Sequence, residues 1–307
     1  MRIVIAGPGA LGCLLAARIS LELQADDELT LLDHRPERAR QMNNDGFTLE
    51  ARGKARHFIV PATADPARIS GCDLFFLCTR ATAVAEALMQ AESLLTPATL
   101  LVSMQRGTSH LQTIKNNAAI AGTAVTSADV FLESPGRINC LDPGEMQIGL
   151  LNKTNENEQL LNQAVDLLNR SGLKPEKNQD MMQQIWDSFF IDLAVNALAA
   201  IYRRPNGQLL TSCSVRGNMK KMLTEAVAVS KAAGILTGND PIKSAFQFLR
   251  TKKIRLAPML RDIQNRRATE IDALNGTITE MGRQLAIPTP VNEDLVLRIK
   301  KIEARYL

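Results

Sequence analysis

The chain has 307 residues, 45% of them hydrophobic and 22% charged, enough for about two domains with substantial cores. Its 36 basic and 32 acidic residues leave a net charge of +4 dispersed in short clusters, and aromatic residues make up only 4%, a balance that suits a small anionic ligand and argues against nucleic acid. Every long apolar stretch is cut by Asp, Arg or Gly before the roughly 18 residues of a membrane span, so no membrane partner is expected.

The opening run RIVIAGPGALGCLLAARIS predicts a strand at 2–6, a turn through glycines and a helix from about Leu11 to Gln24. Gly-Pro-Gly at 7–9 interrupts the apolar core that a secretion signal needs. Further strands are expected at ELTLLD (28–33), HFIV (57–60), DLFFLCT (73–79), TLLVSM (99–104) and IAGTAVT (120–126), with helices beginning near Pro36 and over Thr82–Leu95. Short, nearly continuous apolar strands alternating with amphipathic stretches predict an α/β domain, a parallel sheet covered on both faces. After RINCL and EMQIGL the strand signal fades. From Asp180 onward apolar residues recur at spacings of three and four over 181–201, 214–233, 240–250, 259–265, 268–285 and 292–306, predicting an all-helical second domain. The expected division is 1–175 and 176–307. Cys13, Cys72, Cys78, Cys140 and Cys213 lack metal-ligand spacing and read as reduced core thiols of a cytoplasmic protein; no metal site is expected.

Gly7-Pro8-Gly9-Ala10-Leu11-Gly12 matches G-x-G-x-x-G between a strand and a helix. In that setting the first glycine permits the tight turn, the second admits a pyrophosphate to the backbone and the third lets helix pack on strand, with the helix N-terminus offering N–H donors. Asp33 ends the next strand where a ribose hydroxyl would be met, which favours NAD. His34, Arg35 and Arg38 follow at once and suit the 2′-phosphate of NADP, so both cofactors stay open. His57 and His110 have no local partner for a triad or a metal and read as surface residues.

Two longer stretches are more specific: IWDSFFIDLAVNALAAIYRRPNGQL (185–209) and PMLRDIQNRRATEIDALNGTITEMGRQLAIPTPVN (258–292). With the glycine loop and QRGTSHL (105–111), they give the whole chain a resemblance to the ketopantoate reductase family. The resemblance implies an N-terminal Rossmann dinucleotide-binding domain followed by an all-helical C-terminal domain, with the active site in the cleft between them. It also implies hydride transfer from NADPH to 2-dehydropantoate, in pantothenate synthesis, or to a related 2-oxo acid or imine.

Carried over residue by residue, the resemblance assigns Gly7 to Gly12, Asp33, His34, Arg35, Arg80, Arg106, Ala128 and Glu270 to the cofactor. Asp192, Asn196, Asn206 and Pro258 fall at substrate positions, and Ser188, Glu270 and Arg106 at catalytic ones. Several depart from the family pattern. Ser188 stands in place of the catalytic lysine, Asp192 in place of an Asn, Arg106 in place of the loop Asn and Pro258 in place of a Ser, while Asn196, Asn206 and Glu270 are retained. Residues 188, 192 and 196 share one helix face. Asp192 would repel a carboxylate unless Arg106 compensates it, and an amine- or imine-bearing substrate fits the change better than a simple keto acid. The second reading is a catalytically silent dinucleotide-binding sensor. The amphipathic helices 268–285 and 292–306 offer a stripe for a homodimer, which the sequence leaves open.

Overall fold

The structure is a computed structural model that describes residues 1–307 apart from Lys153, Leu236 and Asn239, and apart from the side chains of Asn155 and Glu156. The chain divides into two compact units, Met1–Gln105 with His110–Met181, and Arg106–Ser109 with Met182–Leu307.

In the first unit β1 (Arg2–Ala6) leads through the glycine turn into α1 (Ala10–Ile19), followed by β2 (Glu28–Leu32) and α2 (Pro36–Asp45). β3 (Phe47–Ala51) and β4 (Lys54–Phe58) form a hairpin, and β5 (Ala62–Thr63) and β6 (Leu74–Leu77) come next. Then follow α3 (Val84–Gln90), β7 (Leu100–Ser103), α4 (Leu111–Asn117) and β8 (Ile120–Thr126). β9 (Asp129–Ser134), β10 (Arg137–Asp142), β11 (Met146–Leu150), α5 (Asn155–Arg170) and β12 (Glu176–Lys177) complete the unit. Among the described residues, the main sheet runs β12-β11-β8-β7-β6-β1-β2-β5 and is parallel from β5 to β8. It is buried on both faces: Ile3 and Ile5 enter one core, and Val4 and Ala6, pointing the other way, enter a second.

The parallel sheet is thus present, with corrections at its margins. β11 pairs antiparallel with β8. HFIV lies outside the parallel sheet: β4 pairs antiparallel with β3 in a second sheet of order β4-β3-β10-β9. The reason is a two-residue turn in which Arg52 and Gly53 both take positive φ, 52° and 72°, the twist that folds a strand straight back on its neighbour. Phe47 and Phe58 stack at 5.7 Å across that hairpin, and Phe47, Leu49 and Ile138 share the core that holds α1. α1 stops at Ile19, short of Gln24.

The second unit is helical: α6 (Met181–Tyr202), α7 (Asn206–Leu209), α8 (Cys213–Ala232), α9 (Pro241–Thr251), α10 (Pro258–Gln264), a π-helical turn over Asp272–Gly276 leading into α11 (Thr277–Gln284), and α12 (Pro290–Glu303). α6 is apolar almost all round, and Phe189, Phe190, Leu193, Ala194, Ala197 and Leu198 are fully buried. By length and composition it could cross a membrane, but 72% of its most apolar window is buried, the mark of a core helix. Cys13, Cys72 and Cys140 are core thiols as expected; Cys213 is exposed at the start of α8, because Ser212 caps that helix at the surface. Burial pushes the Cys13 and Cys72 thiols up to about 12.

Candidate active site

The glycine turn has the shape that a dinucleotide requires. Gly7 sits at φ +84°, and a Cβ there would stand 2.7 Å from the backbone nitrogen of Thr79; a Cβ on Gly12 would stand 2.4 Å from the carbonyl oxygen of Gly7. Both are therefore glycine for packing. A Cβ on Gly9 would meet nothing within 4 Å, so this backbone faces open space. Gly9 is also the N-cap of α1 and supplies no side-chain cap, which leaves first-turn N–H groups for an anion. The turn lies where β1 neighbours both β2 and β6, the point at which strand order reverses in the sheet.

Asp33, at the end of β2, is buried and surrounded by donors. Its Oδ1 accepts the Arg35 N–H at 3.0 Å and lies 3.3 Å from His34 Nδ1, while Arg38 Nε is 3.2 Å from Oδ2. Arg38 also donates to the Pro8 carbonyl, tying the acid to the glycine turn. Arg80 is exposed just beyond β6. Ala128 is buried, and its N–H donates to Thr126 Oγ1 at 3.1 Å.

His110 corrects the surface assignment. It is 3% exposed at the start of α4, neither ring nitrogen has a hydrogen-bond partner among the described residues, and burial pushes its pKa down to about 4. Thr108 and Ser109 precede it and Gln112 follows Leu111, so no extended apolar pattern marked it as a core residue.

The helical unit assembles a polar pocket. Arg106, Asn196, Pro258, Met259, Asp262, Glu270 and Leu274 line it. The Arg106 guanidinium donates to Asp192 Oδ1 at 2.6 Å, and Asp192 is 3% exposed, with Oδ2 buried and unpartnered. Asn196 extends this chain. Its Nδ2 donates to the Asp192 carbonyl at 2.9 Å, and its Oδ1 accepts the Met259 N–H at 3.2 Å, so a side-chain amide from α6 holds the first turn of α10. Pro258 suits that turn because a proline at the start of a helix has no N–H to leave unpaired. The short 106–109 segment is closely fitted: Gly107 takes φ +85°, and a Cβ there would be 3.1 Å from the Ala273 carbonyl oxygen.

Of the expected substrate and catalytic positions, the pocket unites Arg106, Asn196, Pro258 and Glu270, with Asp192 directly behind Arg106. Ser188 and Asn206 are not among its lining residues. Ser188 is half-buried on α6; Asn206 is buried in α7, its N–H on the Arg255 carbonyl at 3.1 Å and its Oδ1 unpartnered. Sequence reasoning missed three lining residues, the apolar Met259 and Leu274 and the charged Asp262; of these Asp262 bears chemistry. Its signal was its position four residues after Pro258, on the same face of α10.

Comparison with known proteins matches this arrangement to one family over both halves of the chain. The family described as Ketopantoate reductase PanE/ApbA matches residues 3–153, and its C-terminal part, Ketopantoate reductase PanE/ApbA C terminal, matches residues 180–303. A 2-dehydropantoate 2-reductase of Streptococcus pyogenes serotype M18 is 25% identical over 297 residues, covering 94% of each chain. The crystal structure of a PanE/ApbA family ketopantoate reductase from Ralstonia eutropha JMP134 superposes with a TM-score of 0.89 at 25% identity, covering 100% of this chain and 99% of the other. A D-mandelate dehydrogenase solved with NADH and anilino(oxo)acetate has the same fold, with a TM-score of 0.90 at 22% identity over 100% of this chain and 99% of the other.

Proposed function

The chain belongs to the ketopantoate reductase PanE/ApbA family, and on that premise we propose that it is an NAD(P)H-dependent reductase acting on 2-dehydropantoate or a related 2-oxo or 2-imino acid. The turn Gly7–Gly12 carries the proposal: two of its glycines are locked by packing, and the third opens an uncapped helix N-terminus to a ligand. In this proposal residues 1–175 bind the cofactor, and residues 176–307, together with Arg106, bind the substrate.

The first-turn N–H groups of α1 hold the pyrophosphate, and Asp33 with its neighbours receives the adenosine ribose. Two guanidinium groups, Arg35 and Arg38, gather on that carboxylate beside the His34 ring, so its repulsion of a 2′-phosphate is offset and NADPH is preferred over NADH. When bound, the reduced nicotinamide supplies a hydride to the carbon being reduced. Arg106 binds the substrate carboxylate, which its planar fork can engage beside Asp192, and Glu270 fixes the polar group on the neighbouring carbon.

The deciding experiment is a binding titration of each cofactor, followed by NADPH and NADH oxidation with 2-dehydropantoate and a panel of 2-oxo and imino acids. Turnover of a panel member, with NADPH bound more tightly than NADH and Arg38→Ala narrowing that difference, is the expected result. Tight cofactor binding with no turnover of any substrate would make the protein a sensor, a reading favoured by the absence of a lysine from the pocket lining.

A further inference from the structure

An arginine in the first turn of a helix sits against the positive end of the helix dipole, so its placement there has to be offset by other contacts. Arg38 is such a residue, following Pro36 and Glu37 at the start of α2. Its side chain is pinned at two points. Nε lies 3.2 Å from Asp33 Oδ2, and Nη2 donates to the Pro8 carbonyl inside the glycine turn. The remaining nitrogen, Nη1, has no partner among the described residues, and the side chain is 28% exposed.

Asp33 is placed differently. Its side chain is 1% exposed. Its backbone is held on both sides, the N–H on the Thr63 carbonyl at 3.0 Å and the carbonyl accepting from Gln90 Nε2 at 3.1 Å. Oδ1 already accepts the Arg35 N–H at 3.0 Å, and Oδ2 faces Arg38. A ribose hydroxyl has to come within about 3.0 Å of a carboxylate oxygen to donate to it. With the side chain closed to solvent, neither oxygen offers that approach while Arg38 stays in place. The acid is covered, and the cation is what a ligand over the glycine turn meets.

We propose, resting on the reductase reading above, that Asp33 is a positioning residue and not a ribose ligand: together with the Pro8 carbonyl it aims Arg38, whose Nη1 reads the 2′-phosphate of NADPH. An acid at the end of the second strand ordinarily serves the ribose hydroxyls of NAD and disfavours that phosphate. Here the buried carboxylate favours it, by fixing in advance a cation whose flexible side chain the ligand would otherwise have to order.

The two roles differ in sign. Removing a ribose acceptor weakens NADH and relieves the repulsion of NADPH, whereas removing a positioning acid weakens NADPH. The test is calorimetric titration of the purified full chain with NADPH and NADH, and with 2′,5′-ADP and 5′-AMP, which differ only in the 2′-phosphate. Asp33→Asn, nearly the same in shape, should lower NADPH affinity about tenfold more than NADH affinity, and should shrink the preference for 2′,5′-ADP over 5′-AMP to match. Arg38→Lys keeps the charge but loses the fork that spans both anchors, and should lower the same ratios. In an Arg38→Ala background, adding Asp33→Asn should no longer weaken NADPH, because the acid has nothing left to aim.

Tighter NADPH binding or a selective loss of NADH in Asp33→Asn would overturn the proposal and make the acid a ribose ligand. Equal weakening of all these ligands would overturn it too, leaving Asp33 a merely structural role. Should Asp33→Asn fail to fold, Arg38→Lys decides, and an undiminished preference for 2′,5′-ADP in that variant would overturn the proposal. A wild-type protein that binds NADH as tightly as NADPH would overturn it while the reductase reading stands. Failure to bind either cofactor would remove that reading itself.

Discussion

Gly9 and Gly12 belong to one turn, yet alanine at the two positions should act in opposite ways. At Gly12 the new Cβ would lie 2.4 Å from the Gly7 carbonyl oxygen, and relieving that overlap costs about 1–3 kcal/mol, visible as a lower melting temperature. At Gly9 the Cβ meets only open space, so the melting temperature should stay put while dinucleotide affinity falls by about tenfold or more. A Gly9→Ala protein that binds both cofactors normally would remove the pyrophosphate from this turn. The glycine spacing was legible because each role follows from local backbone geometry. Asp262 was not: a lone acid on an amphipathic helix looks like a solvated surface charge until the tertiary fold lines a pocket with it.

Helix spacing was equally legible in the second unit, but what holds its helices in place was not. α12 begins with Thr289, which makes no side-chain cap, and the N–H groups of Val291 and Asn292 are instead accepted by Glu225 of α8 at 2.9 and 3.0 Å. Asn292 then donates to Glu225 and accepts from Asn275, both asparagines fully buried. The Asn275 and Pro-Thr-Pro-Val-Asn parts of the signature stretch thus serve to join α8, the π-helical turn and α12. Glu225→Ala leaves those donors unpaired and should cost about 2–4 kcal/mol in denaturant unfolding, with Glu225→Gln costing less. An unchanged midpoint in the alanine variant would show that water replaces the cap at no cost. The β3–β4 hairpin was missed for a related reason. Its turn is Arg-Gly, and arginine carries none of the local preference for positive φ that marks Asn-Gly or Asp-Gly.

Stability of the whole molecule should register His110. Its folded pKa, about 4, lies below the ordinary 6.5, so between those values the unfolded chain binds a proton that the folded chain refuses. Stability from this residue is therefore complete above pH 6.5 and lost as pH falls toward 4, by up to about 3 kcal/mol. His110→Leu should flatten that part of the stability curve; parallel curves for the two proteins would mean that the ring is protonated or hydrated in the fold. The sequence by itself established the α/β sheet, the glycine turn, the helical second half and the family resemblance, because periodicity and tight turns are short-range properties of the chain. The tertiary structure alone decided that β4 leaves the main sheet, that His110 is buried, that Arg106 pairs with Asp192 and that Asp262 lines the pocket. Each of these depends on residues distant in sequence meeting in space, where burial and charge pairing are set by neighbours that no local window contains.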